Sequence, residues 1–193
     1  MEFLTKEILG AAATLIGFVG VAIYIISIIR GQTKPHFYTH FVWFILSSIA
    51  LSGQLYDHAG AGAWASILTT LACLTTALMA LKWGEKNITR SDKIALAASL
   101  SAIIPWMLME DPLLSVIIVT AIELVAFYPT IRKSWLKPYE ENMTAYTIGS
   151  TKLGLSLLAL ENVTWNTALY PGVNFFLNTA FIVMCVIRRH VKH

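Results

Sequence analysis

The chain has 193 residues, of which 56% are hydrophobic and only 13% are charged, and its formal net charge is +3. A soluble domain carries about 25% charged residues, so a chain this poor in charge cannot cover a water-facing surface. The composition therefore argues against a cytosolic enzyme, a nucleic-acid-binding protein and a disordered chain.

Apolar runs long enough to span a bilayer follow one another along the chain. Each has about 17–22 residues, which as a helix crosses a hydrocarbon core of about 30 Å. No run alternates apolar and polar residues as a barrel strand does. We therefore predict an all-α membrane protein with seven transmembrane helices, at 8–29, 38–55, 63–82, 93–109, 113–131, 143–160 and 168–187.

The basic residues predict an orientation for these crossings. Nearly all of the 14 Lys and Arg residues lie in the loops after the first, third and fifth runs or in the C-terminal tail. Because cytoplasmic loops are enriched in positive charge, we expect the C-terminus to be cytoplasmic and the N-terminus to be outside. The predicted location is a bacterial cytoplasmic membrane. The basic loops are explained by this topology, so no nucleic-acid partner is expected.

Two segments about 100 residues apart resemble each other. Val-Ala-Ile-Tyr at 21–24 is similar to Val-Ala-Phe-Tyr at 125–128, and Lys34-Pro35 is similar to Lys137-Pro138. Three crossings reverse the direction of a chain, so one extra helix between two three-helix units gives both units the same orientation. We predict a 3+1+3 parallel repeat, with units at 1–84 and 112–193 and a linker helix within 85–111.

The segment from Pro129 to Thr144 resembles the signature of PQ-loop proteins. In that signature Pro-Gln at a helix end precedes a basic stretch and a Ser or Thr that opens the next helix; here Thr130 replaces Gln. The 3+1+3 arrangement with an outside N-terminus resembles the SWEET sugar facilitators of that superfamily. The resemblance implies alternating access between the two units, with Pro129 as a hinge. It also implies that an Asn on the last helix holds the solute, and Asn178 is the preferred match.

Charged and amide side chains inside the runs are the first candidates for a solute site. Glu123 and Lys152 lie near the middle of adjacent runs, where an unpaired charge costs a few kcal/mol. They either face the translocation path, binding solute or exchanging a proton, or form a structural pair between two helices. Asn174 and Asn178 share one face of the last helix, which we expect to point away from lipid. Interhelical hydrogen bonding is the alternative for these two amides.

Aromatic and hydroxyl side chains complete the predicted site. Trp43 and Ser47 lie on the second run, and Tyr146 and Thr151 occupy similar positions on the sixth. These residues are predicted to form two walls that face a small ring-bearing solute. The alternative is that the two aromatic residues pack near the cytoplasmic boundary.

Together these features predict a membrane transporter that moves a small polar solute, sugar-like or zwitterionic, by alternating access. Facilitated diffusion and proton coupling both stay open, as does assembly into a homo-oligomer. The alternative is a non-transporting scaffold, sensor or receptor with the same helices. No nucleotide-binding motif and no nucleophile–base set is visible, so neither enzymatic activity nor a cofactor is expected. His36 and His40 have a metal-ligand spacing but no companion ligands, and we expect them to be solvated without metal.

Overall fold

The computed structural model describes residues 2–31, 35, 37–84, 90–101, 104, 112–136, 138 and 143–191. Over these residues all regular structure is helical, which confirms the prediction of an all-α protein for the described part of the chain. A 3-10 turn at Gly60–Ala63 precedes the third helix. The α-helices are α1 (Glu2–Ile29), α2 (Phe37–Tyr56), α3 (Trp64–Trp83), α4 (Arg90–Ser101), α5 (Pro112–Leu136), α6 (Met143–Leu158) and α7 (Trp165–Val191).

Within the described ranges, three helical segments are long and apolar enough to cross a membrane. They are Thr5–Ile29, Gly60–Trp83 and Trp165–His190, and a shorter apolar helix covers Pro112–Leu124. Large apolar side chains also project from the outside of the bundle, as Leu15 and Phe18 of α1 do. Since soluble proteins rarely expose wide apolar patches, this exterior is typical of a protein surrounded by lipid.

For description, we call α1, α2 and α3 the first helix group and α5, α6 and α7 the second helix group. In the first helix group, α1 and α2 both pack along α3, and in the second helix group, α5 and α6 both pack along α7. Between the groups, α1 packs against α6, and α2 packs against α5 and α7. Helix α4 lies against α2.

Pairwise contacts give the directions of the helices. α1 runs parallel to α3 and antiparallel to α6, while α7 runs antiparallel to α6 and ends beside the C-terminal end of α5. The two helix groups therefore have the same orientation. The contacts that establish these directions are Gly10–Ala61, Gly17–Leu68, Gly17–Lys152, Gly20–Ile148, Gly149–Asn178, Gly154–Phe175 and Arg188–Trp135.

The two ends of the bundle are named here by a residue at each. The Asp57 end holds the N-termini of α1, α3, α5 and α7, and the Arg188 end is opposite. Trp64 and Trp165 begin helices at the Asp57 end, whereas Trp83 and Trp135 lie at the Arg188 end, and all four are at least 40% exposed. Exposed tryptophans at both ends of a helix bundle are typical of membrane–water interfaces.

The buried core lies mainly between α2 and α5. It contains Val42, Ile45, Leu46, Ile49, Ala50 and Val119, all at most 7% exposed. A smaller apolar cluster of Ala59, Ala63 and Leu160 lies at the Asp57 end. These two clusters hold the helix groups together around a cavity that both polar and apolar side chains line.

Candidate functional site

A cavity of about 190 Å³ lies between the two helix groups, near the middle of the helices. Helices α2 and α3 of the first group and α5, α6 and α7 of the second group contribute its walls. The predicted site residues that line it are Trp43, Ser47, Glu123, Lys152, Asn174 and Asn178.

Glu123 enters the cavity from α5 and is only 7% exposed. Its Oε2 atom is buried and has no hydrogen-bond partner. Buried polar atoms in folded proteins are nearly always paired, and a lone carboxylate oxygen is costly to keep away from water. A donor that entered the cavity would therefore be stabilised at this atom.

Lys152 reaches the cavity from α6 and bonds across the interface between the groups. Its Nζ donates to Thr69 Oγ1 of α3 at 2.8 Å, while the Thr69 hydroxyl donates to the carbonyl of Ala65 at 2.8 Å. An ammonium group carries three protons, so further protons of Lys152 are available to a ligand. Lys152 thus joins the two helix groups through Thr69, and Glu123 Oε2 receives no bond from it.

The space for the Lys152 side chain comes from Gly17 of α1. A Cβ atom at position 17 would lie 2.8 Å from Lys152 Cδ, which is closer than real Cβ atoms approach other carbons. The stem of Lys152 therefore passes directly over the backbone of α1. This contact helps to fix where the ammonium group lies.

The two amides of α7 differ in their surroundings. Asn174 Nδ2 donates to the carbonyl of Tyr170, one turn earlier, at 3.1 Å. Asn178 faces Gly149 of α6, where an added Cβ would lie 3.9 Å from Asn178 Nδ2. Asn178 thus faces its part of the cavity across from a residue that has no side chain.

The opposing wall of α3 is different in chemistry. It presents Ser66, Thr69 and Cys73 to the cavity, with hydroxyl and thiol groups in place of amides. The lining is therefore asymmetric: one helix group contributes hydroxyls and a thiol, and the other contributes amides and both charged groups.

Trp43 belongs to a short series of rings that leads from the cavity towards the Arg188 end. Its ring contacts that of His40 edge-on at 5.4 Å, and His40 stacks on Tyr24 at 5.8 Å, with Tyr24 Oη 3.4 Å from His40 Nε2. His40 is 9% exposed, so the prediction that it is solvated was wrong. The physical reason is that α2 begins at Phe37 and turns His40 towards α1. His36 lies outside the described residues.

Tyr146 and Thr151 are not among the residues that line this cavity. The Tyr146 ring packs against Phe181 of α7 at 4.5 Å and against Phe127 of α5 at 6.3 Å. Thr151 is exposed, and its hydroxyl donates to the carbonyl of Thr147 at 2.9 Å. Of the two predicted walls, only the one that contains Trp43 and Ser47 therefore lines the cavity.

The proline predicted as a hinge, Pro129, lies within α5, and its side chain is outside the described part of the structure. A second proline was not among the predicted site residues. Pro171 lies inside α7, is buried and lines the cavity. A proline within an apolar helical run is visible in the sequence, and it indicates an interrupted helix at this position.

Pro171 has no backbone N–H, so the carbonyl four residues before it, at Thr167, lacks its usual partner within the helix. Gln54 of α2 supplies the missing bond: its Nε2 donates to the Thr167 carbonyl at 3.2 Å. Gln54 is 1% exposed. A buried side chain of the first helix group thus stabilises the interrupted helix of the second.

Hydrogen bonds between the groups concentrate at the Asp57 end. The Asp57 carboxylate accepts from the hydroxyl of Thr164 and, at 3.1 Å, from Asn166 Nδ2. Asn162 Nδ2 donates to the carbonyls of Asp57 and His58 at 3.3 and 3.2 Å. We call these five residues the Asp57 network.

Local structure at the start of α7 orients this network. Thr164 precedes the helix and accepts from the N–H of Thr167, while its own N–H donates to the Thr167 hydroxyl at 2.9 Å. This reciprocal pairing is a capping box with Thr in the third helical position. Because the Thr164 hydroxyl also donates to Asp57, the cap of α7 is tied to the first group.

The loop between α2 and α3 approaches the second group closely. The N–H of Glu161 donates to the carbonyl of Ala59 at 3.1 Å, and Ser156 Oγ donates to the carbonyl of Gly62 at 2.6 Å. Gly60 has a φ of 60°, and a Cβ there would overlap the Glu161 side chain. Glycine is therefore required at this position both for its backbone angle and for space.

Comparison with models of known protein families, with curated proteins and with solved structures gave no match to this chain. The resemblance to PQ-loop and SWEET proteins accordingly stays a prediction from the sequence.

Proposed function

We propose that this protein is a multi-pass membrane carrier that moves a small polar solute through the interface between its two helix groups. The single observation that carries the proposal is the cavity that both groups share, with its unpartnered Glu123 oxygen. Ionisable residues at membrane depth are costly and usually line a substrate or ion path.

The packing of the helices supports a 3+1+3 architecture with seven crossings. If α1, α2 and α3 correspond to α5, α6 and α7, then the contact of α1 with α6 corresponds to that of α5 with α2. The two groups also point in the same direction. This is the pattern expected of a parallel repeat related by an axis along the membrane normal, in which solute binds near the midplane.

The distribution of hydrogen bonds supports alternating access. At the Asp57 end the groups are joined by the Asp57 network and by neighbouring backbone contacts. At the Arg188 end, Arg188 and Arg189 donate to the carbonyls of Trp135 and Pro138, which are bonds within the second half of the chain. Rocking of one group against the other would break the Asp57 network and open the cavity at that end, with Pro171 and Pro129 as candidate hinges.

The test measures solute flux in proteoliposomes for a variant in which a larger side chain fills part of the cavity. Gly149→Leu places a side chain opposite Asn178, so we expect saturable uptake of labelled alanine or glucose to fall at least tenfold. Gly172→Leu is the matched control on α7, because nothing lies within 4 Å of a Cβ at Gly172. The control should transport as the unmodified chain does. Equal flux in the two variants, or no saturable flux of either solute, would contradict the proposal.

A further inference from the structure

We propose that the solute of this cavity is a small zwitterion, whose ammonium group binds Glu123 and whose carboxylate binds Lys152. The inference rests on the carrier proposed above and names its substrate class.

The charges of the cavity are the first argument. Glu123 and Lys152 are the only formally charged side chains among the described residues that line it. A neutral polyol would leave both charges uncompensated, while a simple anion or cation would leave one. A ligand with one charge of each sign compensates both, and uncompensated charges in a low-dielectric site are costly.

Unused bonding capacity is the second argument. Glu123 Oε2 is buried with no donor, and Lys152 Nζ donates one hydrogen bond, to Thr69. The Lys152 stem passes over Gly17, and its ammonium group donates to the Thr69 hydroxyl. The site therefore presents one acceptor for an ammonium group and a positioned donor for a carboxylate.

Size and aromatic lining are the third argument. The volume of about 190 Å³ fits a solute comparable to alanine or a small betaine. Trp43 also lines the cavity, and the face of an indole ring attracts ammonium groups. The hydroxyls of a ring-bearing sugar can hydrogen-bond to both groups, but a sugar carries no charge that neutralises either of them.

The experiment compares four small probes on the protein in proteoliposomes. L-alanine carries both charges, lactate keeps only the carboxylate, alaninamide keeps only the ammonium, and D-glucose carries neither. Binding is measured as protection of Cys73, which lines the cavity, from alkylation by N-ethylmaleimide. Cys185 is fully buried and is replaced by Ser to leave one thiol. We expect alanine to protect Cys73 at concentrations at least tenfold lower than any other probe, and to be taken up.

Two variants separate the charges. Glu123→Gln should raise the protective concentration of alanine at least tenfold and leave that of lactate unchanged. Lys152→Met should do the same for alanine and leave that of alaninamide unchanged. Glu7→Gln and Lys82→Met are the controls, since each removes a charge of the same sign outside the cavity. Neither control should change the protective concentration of alanine. Retained protection by the single-charge probes shows that each variant is folded.

The opposing results are distinct. Glucose that protects Cys73 and is taken up while alanine does neither would overturn the zwitterion and leave the carrier intact. Glucose uptake that follows a pH gradient and is lost in Glu123→Gln would also overturn the zwitterion, because the Glu123 carboxylate would then bind a proton and not an ammonium group. Absence of both protection and saturable flux for all four probes would overturn the zwitterion and the carrier together.

Discussion

Lys152 bonds across the interface between the helix groups, and its position depends on a residue that has no side chain. In Gly17→Ala the new Cβ would lie 2.8 Å from Lys152 Cδ and 3.1 Å from Leu68 Cδ2. One of these side chains must move, and overpacking of this kind costs about 1–3 kcal/mol. We expect the melting temperature in detergent to fall by several degrees, and solute flux to fall because the bond from Lys152 to Thr69 is displaced.

The matched control is Gly172→Ala on α7, where no atom lies within 4 Å of the added Cβ. In a helix interior Ala is favoured over Gly by about 0.5–1 kcal/mol, so this variant should melt at the same temperature or higher. Equal destabilisation by the two substitutions would mean that the contact with Lys152 is not what Gly17 provides.

At the residue scale, sequence reasoning was most informative where a polar group interrupts an apolar run. Glu123, Lys152, Asn174 and Asn178 stand out because burial in lipid is costly for each, and the structure places all four on one cavity. Which partner each takes was not visible, since the bond from Lys152 to Thr69 joins residues 83 positions apart.

At the scale of elements, the interrupted helix α7 depends on a side chain of α2. If Gln54 compensates for the N–H that Pro171 lacks, then Pro171→Ala restores a bond within α7 and makes that contribution redundant. In a double-mutant cycle, Gln54→Met should therefore cost less stability in the Pro171→Ala background than alone. We expect a coupling energy of about 0.5–3 kcal/mol from unfolding measurements.

Ser52→Ala provides the control for this cycle. Its hydroxyl donates to the carbonyl of Ile49 within α2 itself, at 2.7 Å. Its effect should add to that of Pro171→Ala without coupling. Additive behaviour of Gln54→Met as well would show that the bond to Thr167 does not depend on the proline.

Helix positions were predicted better than helix ends. The run at 143–160 appears as Met143–Leu158, but the run at 168–187 is extended to Trp165–Val191. Hydropathy does not register a polar final turn, yet Arg188 and Arg189 favour the negative end of the α7 dipole and bond to nearby carbonyls. Likewise, the capping box at Thr164 begins α7 before its apolar run starts.

At the scale of the whole molecule, the common direction of α1 and α3 with α5 and α7 agrees with the direction expected from the predicted 3+1+3 order of crossings. The Asp57 network could not be predicted in the same way. Its bonds join loops that are more than a hundred residues apart, and short polar loops carry no periodic pattern. The sequence therefore predicts the arrangement of helices better than the contacts that would control access.

The proposed alternating access requires that the two helix groups separate at the Asp57 end while each group stays intact. Ala59 and Glu161 are joined by a backbone hydrogen bond across the groups, and Ser150 Oγ lies 2.7 Å from Thr179 Oγ1 within the second group. Cysteine pairs at either place fall within reach of a disulfide.

With Cys73 and Cys185 replaced by Ser, oxidation of the Ala59→Cys, Glu161→Cys pair should abolish flux, and reductant should restore it. Oxidation of the Ser150→Cys, Thr179→Cys pair should leave flux unchanged. Unaltered flux through the first disulfide would mean that the Asp57 end does not open, and loss of flux through the second would mean that α6 and α7 do not move as one body.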